Sequence, residues 1–103
     1  MIDVDEVLAA LAEPTRRRLL DALGLRGPQT ATTLAAGEPV TRQAVVKHLA
    51  VLERAGLVTA RRAGREVLFA VRPEPLEAAA RWMTDRAAAW DARLATIKKI
   101  AEE

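Results

Sequence analysis

The last thirty residues constrain this chain more than any other feature. No glycine or proline occurs after Pro75; Leu76, Met83, Trp90 and Ile97 recur every seven positions, and Ala80, Ala87, Leu94 and Ala101 do the same four places later. This is the seam of a helix made to lie along another helix, with alanine at alternate levels allowing close approach. A continuous helix from Glu74 to Glu103 would extend ~45 Å at 1.5 Å per residue, whereas a compact 100-residue domain has a radius of gyration of only ~13 Å. In a chain of 103 residues, such a rod overhangs its own domain and needs a second surface. A twofold homodimer through Leu76, Ala80, Met83, Ala87, Trp90, Leu94 and Ile97 supplies one, with the N-terminal helix joining in. Trp90 is then a dimer or core anchor, and Trp82, off the seam, is expected to pack on the body of the domain.

Half the residues are apolar, but 22 of them are alanine, leaving 30 larger side chains for a core. That core is thin. With no cysteine and a single histidine, His48, disulfides and thiolate metal sites are excluded and a zinc site would have to be built from carboxylates. The inventory offers no glycine-rich phosphate loop, no nucleophile with its base and no pair of carboxylates in a plausible pocket, so neither an enzyme nor a cofactor is expected. No run approaches the ~18 apolar residues that span a bilayer. The acidic start Met1-Ile2-Asp3-Val4-Asp5-Glu6 is the reverse of a secretory or mitochondrial signal. A cytoplasmic protein with no membrane partner is the expectation.

The formal net charge of +2 hides a segregation. Residues 1–13 carry −4, residues 14–72 carry +7 from eleven Lys or Arg against four acids, and residues 73–103 carry −1. The basic middle coincides with a sequence of short elements. Val4, Val7, Leu8 and Leu11 follow helical spacing behind an Asp3 cap. Pro14 or Thr15 opens a second helix with the apolar face Leu19, Leu20 and Leu23, ended by Gly24. Thr30 caps a brief third helix to Ala36, and Thr41 caps a fourth running to Ala55 and stopped by Gly56. The period then changes to two: Val58, Val67, Phe69 and Val71 lie on either side of Ala63-Gly64, which reads as a β-hairpin. Pro73 and Pro75 end the strand and start the last helix. This order, mainly α with one small hairpin, is that of a single winged helix-turn-helix domain over 1–103: helix-turn-helix at about 30–55, wing at about 57–72 and dimerisation helix at about 74–103.

On the fourth helix, Val45, Leu49 and Leu52 share one face, whereas Thr41, Arg42, Gln43, Val46 and Lys47 are offered outward by the N-terminal turns. A DNA major groove accepts a helix of this kind: arginine reads guanine bidentately, glutamine reads adenine, and a valine methyl meets a thymine methyl. At the hairpin tip Arg61, Arg62 and Arg65 bracket Ala63-Gly64 on what reads as a flexible loop, suited to phosphates or a minor groove. A solvated charged edge guarding an exposed strand is the blander alternative.

Three stretches, Leu11-Ala12-Glu13-Pro14-Thr15-Arg16-Arg17-Arg18, Pro39-Val40-Thr41-Arg42-Gln43-Ala44-Val45-Val46-Lys47-His48-Leu49 and Leu52-Glu53-Arg54-Ala55-Gly56-Leu57-Val58, resemble the ArsR/SmtB family of bacterial winged-helix repressors. The resemblance covers roughly residues 4–95. It implies a homodimeric regulator whose fourth helix reads DNA through Arg42, Gln43, Val46 and Lys47, assisted by the wing around Gly64. Two departures stand out. Metal sensors of the family use a cysteine pair on the third helix or Asp and His ligands on the last; this chain has Thr32, Thr33 and Ala36 in the first region and no histidine in the second, so metal sensing by either arrangement is unsupported. Val46 stands where many members have serine.

Other polar residues have quieter readings. Arg16 shares a face with Leu19, Leu20 and Leu23 and is expected to pack with a buried-edge hydrogen bond. Arg17 and Arg18 point toward phosphate or toward solvent. His48, at the margin of the core, is structural, and Glu53 and Glu66 are surface partners of arginines. The reading is therefore a homodimeric transcriptional regulator, a repressor of double-stranded DNA at an inverted-repeat operator, with room for a small-molecule effector the sequence does not name. The alternative is a winged-helix protein-interaction module, which the central +7 disfavours.

Overall fold

Four of the five helices start where a side chain satisfies a free amide of the first turn. The computed structural model describes residues 1–102: α1 (Val4–Leu11), α2 (Pro14–Arg26), α3 (Ala31–Ala36), α4 (Arg42–Arg54), β1 (Val58–Ala63), β2 (Glu66–Val71) and α5 (Glu74–Glu102). Glu103, to which the last helix was expected to run, lies outside the described residues. Asp3 accepts from the Glu6 N–H at 3.2 Å, Thr30 from Thr33 at 3.1 Å and Thr41 from Ala44 at 3.1 Å. For α2 the cap is Glu13, which accepts from the Arg16 N–H at 3.1 Å, with Pro14 opening the helix behind it.

Helix ends show one correction. Gly24 does not end α2, which runs on to Arg26; the positive φ that terminates it, 79°, belongs to Gly27, whose N–H bonds Leu23 O at 2.9 Å. A single glycine inside a helix costs only ~1 kcal/mol, and Leu25 and Arg26 continue the turn. At the end of α4, Gly56 takes φ 78°, and the N–H groups of Gly56 and Leu57 reach back to Glu53 O and Leu52 O at 2.9 Å each. This Schellman closure turns the chain directly into β1.

The hairpin pairs Val58 with Val71 through Ala63 with Glu66. Its tip is therefore a tight two-residue turn, Gly64-Arg65, with Gly64 at φ 64°, and not the flexible loop expected; Arg61 and Arg62 lie within the paired strand. An isolated β-bridge to the hairpin was not anticipated. Gln29 exchanges both backbone hydrogen bonds with Phe69, at 3.1 and 2.8 Å, and ties the wing to the connection between α2 and α3.

The core is small. Val7, Leu19, Leu23, Leu34, Val45, Leu49, Leu52, Leu57 and Val58 are buried where α1, α2, α3, α4 and the base of the hairpin meet. α5 joins it only through its beginning: Pro75 and Ala79 are buried and Leu76 is half-buried against the same core. From Arg81 to Glu102 every residue is exposed. The molecule accordingly measures 69 × 30 × 21 Å with a radius of gyration of 18.3 Å, against the ~13 Å of a compact domain this long. Trp82 does not pack on the body of the domain as expected. It is exposed on the free part of α5 with the Arg86 guanidinium 5.1 Å from its ring centre.

At the corner between α1 and α2, Arg16 donates from Nε to Ala10 O at 2.6 Å and from Nη2 to Ala9 O at 3.2 Å, and its Nη1 lies 3.3 Å from His48 Nδ1 on α4. Arg17 donates to Leu11 O at 2.7 Å, and Arg18 pairs with Glu38 at 2.9 Å. Desolvation raises the Glu13 pKa, but the hydrogen bond from Arg16 N–H, the charge of His48 and the bonds from Thr15 outweigh it and hold the carboxyl below the ordinary 4.5. A depressed carboxyl contributes stability above its unfolded value and loses it as pH falls through the folded value. Glu13→Gln is therefore expected to melt below wild type at pH 7, with the gap closing as pH drops beneath 4.5. Thermal unfolding at pH 7 and pH 3 checks this; an equal gap at both contradicts it.

Candidate nucleic-acid interface

Helix α4 has an inside and an outside. Val45, Leu49 and Leu52 are wholly buried, which fixes the rotation of the helix and leaves Arg42, Gln43, Val46 and Lys47 exposed on its N-terminal turns. Val46 keeps 42% of its surface, unusual for a valine one position from the core, and offers a methyl pair to whatever approaches. Thr41 is exposed, but its hydroxyl is engaged in capping. Arg42 does not extend freely: its Nε donates to Thr32 Oγ1 on α3 at 3.0 Å.

The wing stands opposite. Strand alternation and the observed register place Arg62 beside Val67 and in line with Phe69, while Arg61 shares the other face with Leu68. Arg65 projects from the turn. Between α4, α3 and the wing runs an open groove of about 540 Å³ bordered by Thr32, Arg42, Val46, Arg65, Val67 and Phe69. Arg42 and Val46 of α4 and Arg65, Val67 and Phe69 of the wing thus share one concave surface, and strand alternation puts Arg62 on the face of the hairpin that carries Val67 and Phe69, Arg61 on the opposite face.

The cations of this surface form no ion pair, although Glu66 also borders the groove. Among the described residues the ion pairs are Arg18 with Glu38, His48 with Glu13, and Arg72 with Glu74, so Arg42, Lys47, Arg61, Arg62 and Arg65 have no carboxylate partner. By contrast the arginines of the α1–α2 corner are committed within the fold. Arg16 packs and hydrogen-bonds as expected, and Arg17 and Arg18, left open between phosphate and solvent, cap α1 and pair with Glu38. Thr32 was missed as a functional candidate: nothing local marks one threonine in Thr30-Ala31-Thr32-Thr33 as the partner of an arginine ten residues on.

The residues proposed for self-association fall into two groups. Leu76 is occupied by its own domain, whereas Ala80, Met83, Ala87, Trp90, Leu94 and Ile97 are exposed along free helix, joined by Trp82 and Ile100. Trp90 keeps 58% and Ile100 66% of its surface.

Comparison with known proteins agrees with this geometry. A helix-turn-helix domain model matches residues 11–61, from the end of α1 through β1. The HTH-type transcriptional regulator YuzN of Bacillus subtilis is 40% identical, over 71% of this chain and 86% of the relative. Among solved structures, an ArsR-like transcriptional regulator from Rhodococcus sp. RHA1 is 43% identical and superposes with a TM-score of 0.84, covering 95% of this chain and 92% of that one. A homodimeric winged helix-turn-helix DNA-binding domain from Mycobacterium bovis, described as a possible ArsR-family regulator, superposes at 0.64 with 27% identity over 85% of this chain and 78% of that one. With relatives 40% and 43% identical over 71% and 95% of its length, the chain belongs to the ArsR family of winged helix-turn-helix transcriptional regulators.

Proposed function

We propose that this protein is a homodimeric transcriptional repressor that binds an inverted-repeat operator in double-stranded DNA, as a non-enzymatic cytoplasmic protein. The observation that carries the reading is the unpaired cationic surface formed by the outer face of α4 and the wing around one groove. On this reading α4 enters the major groove. Arg42 and Gln43 address base edges, Val46 meets a thymine methyl, Lys47 takes a base or phosphate, and Thr41 sets the helix start against the backbone. Arg62 and Arg65 reach phosphates or the adjacent minor groove.

Dimerisation follows from α5. The exposed apolar face from Ala80 to Ile100 suits a second copy of the same helix, and a twofold axis there presents two α4 helices to successive major grooves about 34 Å apart. A bound dimer occludes the promoter DNA it covers, which is the basis for a repressor. Thr32, Thr33 and Ala36 on α3 and the lack of histidine on α5 leave metal sensing by either of the family's known arrangements unsupported.

Three outcomes are expected. Footprinting on the DNA upstream of its own gene should show a protected inverted repeat, with Arg42→Ala and Lys47→Ala each weakening that binding by about 1–3 kcal/mol where the side chain reads a base and leaving the fold intact by circular dichroism. If both variants bind operator and random duplex as wild type does, α4 is not the reading helix, and salt-insensitive binding to a protein would favour an interaction module. In the wing, Arg62→Ala should flatten the log–log salt dependence of affinity by about 0.9 per lost phosphate contact, and Arg61→Ala by less; equal slopes for the two would remove the distinction between the two faces. Trp90→Glu should sediment as a monomer at concentrations where wild type is a dimer, whereas an unchanged dimer would dissociate the seam from assembly.

A further inference from the structure

Arg42 occupies an uncomfortable position. It is the first residue of α4, where the helix dipole disfavours a cation, and no carboxylate neutralises it. It is nevertheless held. Thr32 Oγ1, on the exposed side of α3, accepts from Arg42 Nε at 3.0 Å. Of the three threonines that begin α3, two are engaged with each other: Thr30 caps the Thr33 N–H and donates its hydroxyl to Thr33 Oγ1. Only Thr32 turns across to α4.

The geometry of a guanidinium gives this contact a consequence. Arginine offers two bidentate edges, Nε with one Nη, and Nη1 with Nη2. With Nε bound to Thr32, the first edge is closed and the second is left for a ligand. Both residues border the groove between α4 and the wing, the side on which the proposed reading places the base edges.

We propose that Thr32 is a positioning residue for sequence recognition: by accepting the Nε–H of Arg42 it fixes the guanidinium with its Nη1–Nη2 pair toward DNA, in the orientation that reads guanine O6 and N7. This rests on α4 being the reading helix. Holding the side chain before DNA arrives removes the ordering cost of a long rotamer-rich residue, worth about two- to tenfold in affinity. It also restricts Arg42 to one mode of contact, so the gain falls on operator DNA and not on phosphate attraction common to all sequences.

The test compares full-length wild type, Thr32→Val, Thr32→Ser, Arg42→Ala and the double variant Arg42→Ala/Thr32→Val. Each is titrated by fluorescence anisotropy, at one fixed salt concentration, with a duplex carrying the footprinted upstream segment and with a scrambled duplex of the same composition. Valine keeps the shape and branching of threonine, and circular dichroism checks that each variant folds. Thr32→Val should lower the ratio of operator to scrambled affinity about two- to tenfold, Thr32→Ser should restore it, and the valine change should have no further effect once Arg42 is gone. Thr32→Val binding operator as wild type, weakening both duplexes alike, or adding its full effect on the Arg42→Ala background would each overturn the role of Thr32 while leaving α4 as the reading helix. An Arg42→Ala protein with an unchanged ratio would overturn the assignment of Arg42 itself.

Discussion

One guanidinium joins the two halves of the molecule. Arg16 takes up Ala9 and Ala10 carbonyls at the end of α1 and at the same time faces His48 on α4. Carbonyls in the last turn of a helix are short of helical partners, Ala9 O having only the Ala12 N–H at 3.2 Å, and hydrogen bonds from a charged donor contribute about 1.5–3 kcal/mol each. The effect is to fix the tilt of α1 against the inner margin of α4. The first turns of α5 pack on α1, so the arm proposed for dimerisation and the helix proposed for reading DNA are referred to one joint. Glu13 completes it by capping α2 through the Arg16 N–H while its carboxylate lies 3.9 Å from His48. In a domain with so few large buried side chains, polar contacts of this sort carry orientation that a thicker core would supply by packing.

The thin core and the long arm are two aspects of one economy. Buried leucine and valine are concentrated under α4 and the hairpin, where they hold the surface proposed to face DNA in place, and almost none is left for α5. Beyond Ala80 every described residue of that helix is exposed, and isolated helices in water are marginal because packing of an amphipathic face provides most of their stability. Six large apolar side chains along it are exposed, from Trp82 to Ile100. Monomeric proteins rarely tolerate contiguous exposed apolar surface of this kind without a partner. Segregation of charge follows the same division, with the net positive charge confined to residues 14–72.

What was legible in the sequence was local. Thr30 and Thr41 announce α3 and α4 because a cap is made three residues away, and the hairpin register follows from a period of two around Gly64. Burial of Val45, Leu49 and Leu52 follows from helical spacing alone. The misreadings came where two local signals competed or a distant group decided. Gly24 reads as the end of α2, whereas the glycine that adopts positive φ there is Gly27. Trp82 lies one position off the heptad, yet the body of the domain ends before reaching it. The Gln29–Phe69 bridge, the Arg16–His48 contact and the Arg42–Thr32 bond join residues from 10 to 40 apart, and no periodicity encodes such pairs.

The exposed tryptophans raise a question of solubility that the helix itself answers. Arg86 lies over Trp82 at 5.1 Å and Arg93 over Trp90 at 5.6 Å, each pair one helical turn apart. A guanidinium on an indole face contributes about 0.5–1 kcal/mol at an exposed site, and its methylene stem covers apolar area while the charge stays in water. The rings are thus shielded on one side by residues of their own helix, without being buried. Such shielding lowers the cost of the free arm and leaves the seam usable, because Met83, Leu94 and Ile97 carry no such cover and a partner can displace a flexible arginine from the ring. Reversible covering of this kind is compatible with the pairing proposed for this helix, and arginine suits it better than lysine would: the planar group stacks, whereas a hydrated ammonium does so poorly.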